Sequence, residues 1–256
     1  MGLKGQLSLS EYQNVLLDLL DEFCVFCQSN DINVWLSFGT LLGSVRDGKI
    51  IPWDDDIDLE ILRDDYNKLL KLSLSDKFPR HLKVQSILTD RGYHVSYAKI
   101  RSEGKFYIEE SNNFRANSYN YNGPYLDLFI IDKGYPQLIN LSDVLMSIGF
   151  SPFIYRYIMF RGIYFSILHR GFNLLTFLSR YTATNYIYAL GSRQGKFEYS
   201  NSMIFPLETN ELNGITVNIP SQAERVLEII YGAEWIIPHE PGQRQNHSIK
   251  CFHVDL

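Results

Sequence analysis

Three cysteines in 256 residues are too few for a disulfide framework. Two of them, Cys24 and Cys27, form a C-x-x-C. Both fall inside a helical apolar pattern and no second pair follows, so they read as buried small side chains rather than a zinc or redox site. Reduced thiols fit a cytosolic protein. Positive charge is not in excess: 24 Lys and Arg stand against 29 Asp and Glu, net −5, and no nucleic-acid partner is expected. No uninterrupted apolar run reaches about 18 residues, so no membrane span is expected. The first ten residues lack the apolar segment of a signal peptide. These absences point to the cytoplasm, or to a membrane surface facing it. The histidines His94, His239 and His247 are too scattered to argue a metal site, and there is no internal repeat or low-complexity linker.

One deficit is local. Between Asp143 and Glu198 there is no acidic residue, while Arg156, Arg161, His169, Arg170 and Arg180 punctuate an aromatic, helix-patterned stretch. Residues 140–190 therefore read either as a basic amphipathic lobe lying on an anionic membrane surface or as a helical subdomain with its arginines in solvent.

What the chain does have is concentrated in Trp53-Asp54-Asp55-Asp56-Ile57-Asp58-Leu59. If Ile57 to Ile61 form a strand, Asp56 and Asp58 project from one face while Ile57 and Leu59 pack behind. Two ionised carboxylates so close destabilise the fold unless a cation relieves them. Clustered hard oxygen donors suit Mg²⁺ or Mn²⁺, above all when phosphate supplies the remaining ligands. The competing reading is an edge strand protected by charge.

Around this block the pattern predicts mixed elements. Ser8-Leu9-Ser10-Glu11 has capping-box form and opens a helix through Phe23 that ends near Ser29-Asn30. Val34 to Phe38 reads as a strand, Gly39-Thr40 as the turn into a short helix closed by Asp47-Gly48, and Asp64 or Asp65 as the start of another helix. Strands are expected at Leu82–Leu88, His94–Ile100, Lys105–Ile108 and Tyr125–Ile131, with a loop over Ser111–Gly123. Met203–Leu207 and Leu212–Ile219 read as strand and turn, Ser221 as the cap of a helix through Ile230, and Pro238–Gln245 as a loop. The fold class is α+β: a mixed β-sheet flanked by helices, with a mainly helical insertion. The expected division is a catalytic core over 1–139, a helical aromatic and basic lobe over 140–195, and a strand-helix segment over 196–256 that completes the core.

Five further positions can carry chemistry. Gly39 and Thr40 sit at a strand-to-helix junction, where backbone approaches a ligand closely and the helix N-terminus offers N–H groups to an anion. Arg46, two turns on, could clamp a phosphate or merely be exposed. Asp127, in the apolar run Tyr125-Leu126-Asp127-Leu128-Phe129, must be paired, metal-bound or hydrogen-bonded to backbone. Lys99 could face the same site and offset diphosphate charge, or could be exposed.

Phe38-Gly39-Thr40-Leu41-Leu42-Gly43-Ser44-Val45-Arg46 followed by Ile51-Pro52-Trp53-Asp54-Asp55-Asp56-Ile57-Asp58 resembles the signature of the LicD family, which includes bacterial phosphocholine transferases and is related to fukutin-type proteins. The resemblance continues in Ala98-Lys99-Ile100-Arg101, in Leu126-Asp127-Leu128-Phe129, and in the tail through Phe205-Pro206-Leu207, Gly214, Pro220, Tyr231-Gly232 and Trp235. It implies a nucleotidyltransferase-like fold, with Asp56, Asp58 and Asp127 as catalytic Mg²⁺ ligands. Gly39 and Thr40, together with Arg46, Lys99 and Asp54, would meet the substrate. The implied reaction moves a phospho-alcohol, typically phosphocholine from CDP-choline, onto a sugar hydroxyl of a cell-surface glycan precursor. Thr40 followed by leucine departs from the Gly-Ser pair of the broader superfamily. A D-x-D glycosyltransferase using a nucleotide sugar, and a non-catalytic glycan- or nucleotide-binding protein, remain as alternatives.

Overall fold

A computed structural model describes residues 3–90, 93, 97–109, 119–133, 163–164, 166–171, 174, 186–188, 199–238 and 249–254. Helix α1 (Leu9–Ser29) begins as its sequence dictates: Ser8 Oγ accepts the Glu11 N–H, and the Glu11 carboxylate accepts the Ser8 N–H in return. Its buried ridge is Tyr12, Leu16, Leu20, Phe23 and Cys27, at the spacing of one helix face. Cys27 is buried and Cys24 half-buried; both are free, and burial pushes the Cys24 thiol up to about 12, so neither is a reactive thiolate.

The central sheet has the order β2 (Val34–Leu36), β3 (Asp58–Leu62), β7 (Tyr125–Lys133), β5 (Ala98–Ser102), β4 (Leu82–Gln85). β3 and β7 run parallel; the other neighbours are antiparallel, so the sheet is mixed as expected. β8 (Tyr186–Tyr188) extends it from the end of β7 and pairs with β9 (Tyr199–Ser200). Helices α2 (Phe38–Asp47) and α3 (Arg63–Leu72) flank β3. A second small sheet joins β1 (Leu3–Gln6), β12 (Lys250–Val254) and β6 (Phe106–Glu109), and β10 (Glu208–Leu212) with β11 (Ile215–Ile219) forms a hairpin.

Registry sorts the side chains. Leu59 lies opposite Leu128, which lies opposite Ala98; all three are buried and belong to the hydrophobic core. The next row on the other face is Asp58, Asp127, Lys99 and Gln85, one residue from each of four adjacent strands. Because side chains alternate along a strand, one apolar face and one polar face follow from these registers.

Several boundaries differ from expectation. The strand expected through Phe38 ends at Leu36, because Phe38 takes φ 44 and starts α2. β4 stops at Gln85 rather than Leu88, since the Thr89 hydroxyl accepts the Ser86 N–H and donates to the Val84 carbonyl, closing a turn. Met203–Leu207 is not a strand: Asn201–Ile204 is one turn of helix (α4), and Pro206, having no N–H, cannot join a ladder. The ladder begins instead at Glu208 and turns through Asn213 (φ 52) and Gly214 (φ 83), the left-handed pair that a two-residue hairpin needs. Ser221 does not cap the last helix, α5 (Ala223–Tyr231); its hydroxyl donates to the Ser202 carbonyl, and Gln222 stands at the cap. β1 was not foreseen. His94 to Ser96, most of the 111–123 loop, and nearly all of 140–195 and 239–248 lie outside the described residues. No helix among the described residues is long and apolar enough to cross a membrane.

Candidate metal and phosphate site

The acidic block is anchored before it reaches the sheet. The Gln13 amide on α1 donates to the carbonyls of Ile51 (3.2 Å) and Asp54 (2.8 Å). Asp55 turns inward, is buried, and accepts the Ile249 N–H at 3.1 Å. One of the four acids is therefore structural, which leaves Asp54, Asp56 and Asp58 for chemistry. The Asp58 N–H donates to Thr40 Oγ1 at 2.9 Å, and the Ser37 N–H donates to the Asp58 carbonyl at 3.0 Å. The Gly39-Thr40 turn and the acidic strand are thus locked together by two hydrogen bonds. A Cβ on Gly39 would come within 2.8 Å of the Asp54 carboxylate, so glycine here leaves room for that acid beside the N-terminus of α2.

Across the sheet, Asp56, Asp58 and Asp127 each bring a carboxylate oxygen within 4.8 Å of the others. Burial first, then Asp56, Asp127 and Asp54, push the Asp58 carboxyl well above its usual range, and Lys99 opposes them. Such a group prefers its proton, and the fold pays for each ionised acid near it; a divalent cation would remove that cost. The donor set, all hard carboxylate oxygen, fits Mg²⁺ or Mn²⁺. The Lys99 ammonium is buried and sits 2.7 Å from Asp127 Oδ1, against the Tyr125 ring at 3.2 Å. Asp127 is therefore held by a cation rather than by backbone, and Lys99 is not an exposed strand lysine.

The polar face continues beyond Lys99. Arg101 is fully buried, donates to the Gly123 carbonyl (2.7 Å) and to the Gln85 side chain, and lies over the Tyr125 ring at 4.6 Å. The Gln85 amide in turn donates to Asp90 Oδ2 at 2.7 Å, which also accepts the Asn120 N–H. Arg46 is placed differently from the reading as a phosphate clamp: its guanidinium pairs with Asp47 at 2.7 Å, one residue along α2.

Sequence reasoning missed three participants. Gln13 carried no local signal. Tyr231, at the end of α5, has its phenol held above the ordinary range by burial and then by Asp58, Asp54 and Asp56, yet is 39% exposed, so it stands at the rim of the acids. The signal available for it was the Tyr-Gly helix stop. Glu60 follows the acidic block directly on β3. It is buried, and accepts Trp35 Nε1 (2.7 Å) and Ser37 Oγ (2.9 Å), bracing the residue before the α2 turn.

Burial raises the Glu60 carboxyl from an ordinary 4.5 to about 7, against its two hydrogen bonds. Because the folded state binds this proton more tightly than the unfolded chain, Glu60 contributes stability that is complete below pH 4.5 and lost as pH rises through 7. Glu60→Gln keeps an acceptor for Trp35 and cannot ionise. In chelator-treated protein it should be on the order of 1–3 kcal/mol more stable than wild type at pH 8 and near equal at pH 5, by urea melts. An unchanged difference between the two pH values would show that Glu60 is already ionised throughout.

Comparison with known proteins agrees with the resemblance read from the residues. Residues 31–140 match the family described as LicD/FKTN/FKRP, nucleotidyltransferase domain. That span holds every residue of the site named so far except Gln13, Ile249 and Tyr231. The lipopolysaccharide cholinephosphotransferase LicD of Haemophilus influenzae is 43% identical over 65 residues, 25% of this chain and 24% of that protein. The ribitol 5-phosphate transferase FKRP of Homo sapiens is 34% identical over 89 residues, 34% of this chain and 16% of that protein. The mannosyltransferase regulator 4 of Saccharomyces cerevisiae is 43% identical over 51 residues, 20% of this chain and 4% of that protein. The chain thus spans less than a third of the length of the curated relatives it matches. Over residues 31–140 the chain is similar to the LicD family's domain, and two of these three relatives are named as transferases.

Proposed function

We propose that this chain is a metal-dependent phosphotransferase of nucleotidyltransferase-like architecture. It moves phosphocholine or a related phospho-alcohol from a cytidine diphosphate donor to a sugar hydroxyl of a glycan precursor. The sugar oxygen forms the new bond to the alcohol-bearing phosphorus, the bond from that phosphorus to the CMP oxygen breaks, and the hydroxyl proton is released. The observation that carries the reading is the single row Asp58, Asp127, Lys99, with Asp56 closing a triangle of oxygens within 4.8 Å.

Asp56, Asp58 and Asp127 would hold Mg²⁺, which when bound draws charge from the phosphates and makes the attacking hydroxyl more acidic. The α2 N-terminus at Gly39, held by Thr40, offers backbone N–H groups to donor phosphate. Lys99, 2.7 Å from Asp127 Oδ1, orients that carboxylate and offsets diphosphate charge beside it. Asp54, against Gly39, and Arg46, once freed from Asp47, are the remaining donor contacts in this reading. A cytidine donor and free thiols fit work on the cytoplasmic side.

The test is a thermal-shift screen with Mg²⁺ and CDP-choline, CDP-ribitol, CDP-glycerol or common nucleotide sugars. A cytidine donor at a hundredfold excess over its Kd should stabilise the fold by about 2.7 kcal/mol, several degrees in Tm. The same donor should yield CMP in the presence of acceptor. Stabilisation by a nucleotide sugar alone, with nucleoside diphosphate released, would replace this reading with a glycosyltransferase. Binding without turnover would favour a regulator, the role named for the yeast relative.

A further inference from the structure

Residues 163–164, 166–171 and 174 are helical, and their exposure divides cleanly around the helix. With each residue turning about 100°, Ile163, Ile167, Arg170, Gly171 and Leu174 fall within one arc of roughly 100°. All five are exposed, the three aliphatics by 54%, 61% and 58%. Tyr164, Ser166, Leu168 and His169, outside that arc, are half-buried. His169 meets the Tyr66 ring of α3 edge-on with centroids 6.3 Å apart, and burial, then Arg63, lowers its pKa to about 4. The side a globular helix normally turns to the core is therefore already engaged, and the solvent side carries large aliphatic residues where polar ones are the rule.

The stretch of sequence that carries this stripe is charged with one sign. From 144 to 197 the chain has no Asp or Glu and six Lys or Arg, with Arg170 inside the stripe itself. An apolar stripe that includes an exposed arginine, on a stretch of sequence without acids, complements a surface that is oily below and anionic above. The geometry points to the face made by Ile163, Ile167, Arg170 and Leu174 as a docking surface for an anionic lipid bilayer, on which the helix lies flat rather than crossing.

Sedimentation of the full chain, without nucleotide or metal, tests this independently of the transfer reaction. At low salt the protein should pellet with vesicles of mixed phosphatidylcholine and phosphatidylglycerol, and much less with phosphatidylcholine alone. Ile167→Glu with Leu174→Glu should cut partitioning on the order of tenfold or more, with Tm unchanged because both positions face solvent. Arg170→Ala, a milder change at the same exposed face, should cut it about fivefold. Wild-type protein left in the supernatant would overturn the assignment, as would variants that pellet like wild type. So would a wild-type dimer by light scattering that the double variant disperses, since a second copy would then cover the stripe.

Discussion

Asp58→Asn should lower transfer activity by roughly 10³-fold or more, the scale of losing a group that stabilises transition-state charge, while the protein melts at or above the wild-type temperature. The two halves have one cause. The Asp58 carboxyl is raised by burial and by Asp56, Asp127 and Asp54, so its ionised form costs stability in the metal-free fold at neutral pH. A raised carboxyl contributes stability that is present at low pH and lost as pH rises through its folded value, so a neutral amide removes a penalty at pH 7. The bonds that position residue 58 come from its backbone, to Thr40 and Ser37, and survive the change. CMP release and a melting curve on the same sample check both. A variant that turns over normally, or still gains the full Mg²⁺-dependent rise in Tm, would remove Asp58 from the metal site.

Arg101→Met should have the opposite profile: a large loss of stability with the carboxylates untouched. The guanidinium is fully buried and donates to the Gly123 carbonyl and the Gln85 side chain. Methionine fills much of its length but donates nothing, so two enclosed acceptors lose a partner. At about 1–3 kcal/mol each, the cost is about 2–6 kcal/mol, and for a chain of this size a drop in Tm of roughly 5–20 °C. Because Gln85 also reaches Asp90, which holds Asn120, the 119–123 segment should loosen first, read as faster amide exchange there than in β3. A melting point within a degree of wild type would mean that water replaces the guanidinium at little cost.

The parts of this site that are contiguous in the chain could be read from the sequence; the parts assembled by pairing could not. Asp56 and Asp58 two apart on a strand, Gly39-Thr40 at a strand-helix junction, and the Ser8–Glu11 capping box are local patterns with local causes. The registry that sets Asp58 beside Asp127 and Asp127 beside Lys99 joins positions 69 and 28 residues apart, and no periodicity specifies it. The residues alone let Asp127 and Lys99 each be placed at the acidic site, but nothing local says that the two pair with each other. Alternation put Glu60 on the same face as Asp58 but could not show that Trp35 and Ser37 would claim it. The errors have the same source. Ser221 looks like a cap until the Ser202 carbonyl takes its hydroxyl, and Met203–Leu207 looks like a strand until Pro206 denies it a ladder. Arg46 is a different case: its reading as a donor contact stands as a proposal, with Asp47 as the partner it would leave.

The central claim is that Asp56, Asp58 and Asp127 share one divalent ion. Anomalous scattering from a crystal soaked in Mn²⁺ tests it most directly. The expected result is a peak roughly 2.0–2.2 Å from a carboxylate oxygen of each of the three, with Lys99 still beside Asp127. Full occupancy by Mn²⁺ elsewhere on the chain, with no peak among these acids, would contradict it.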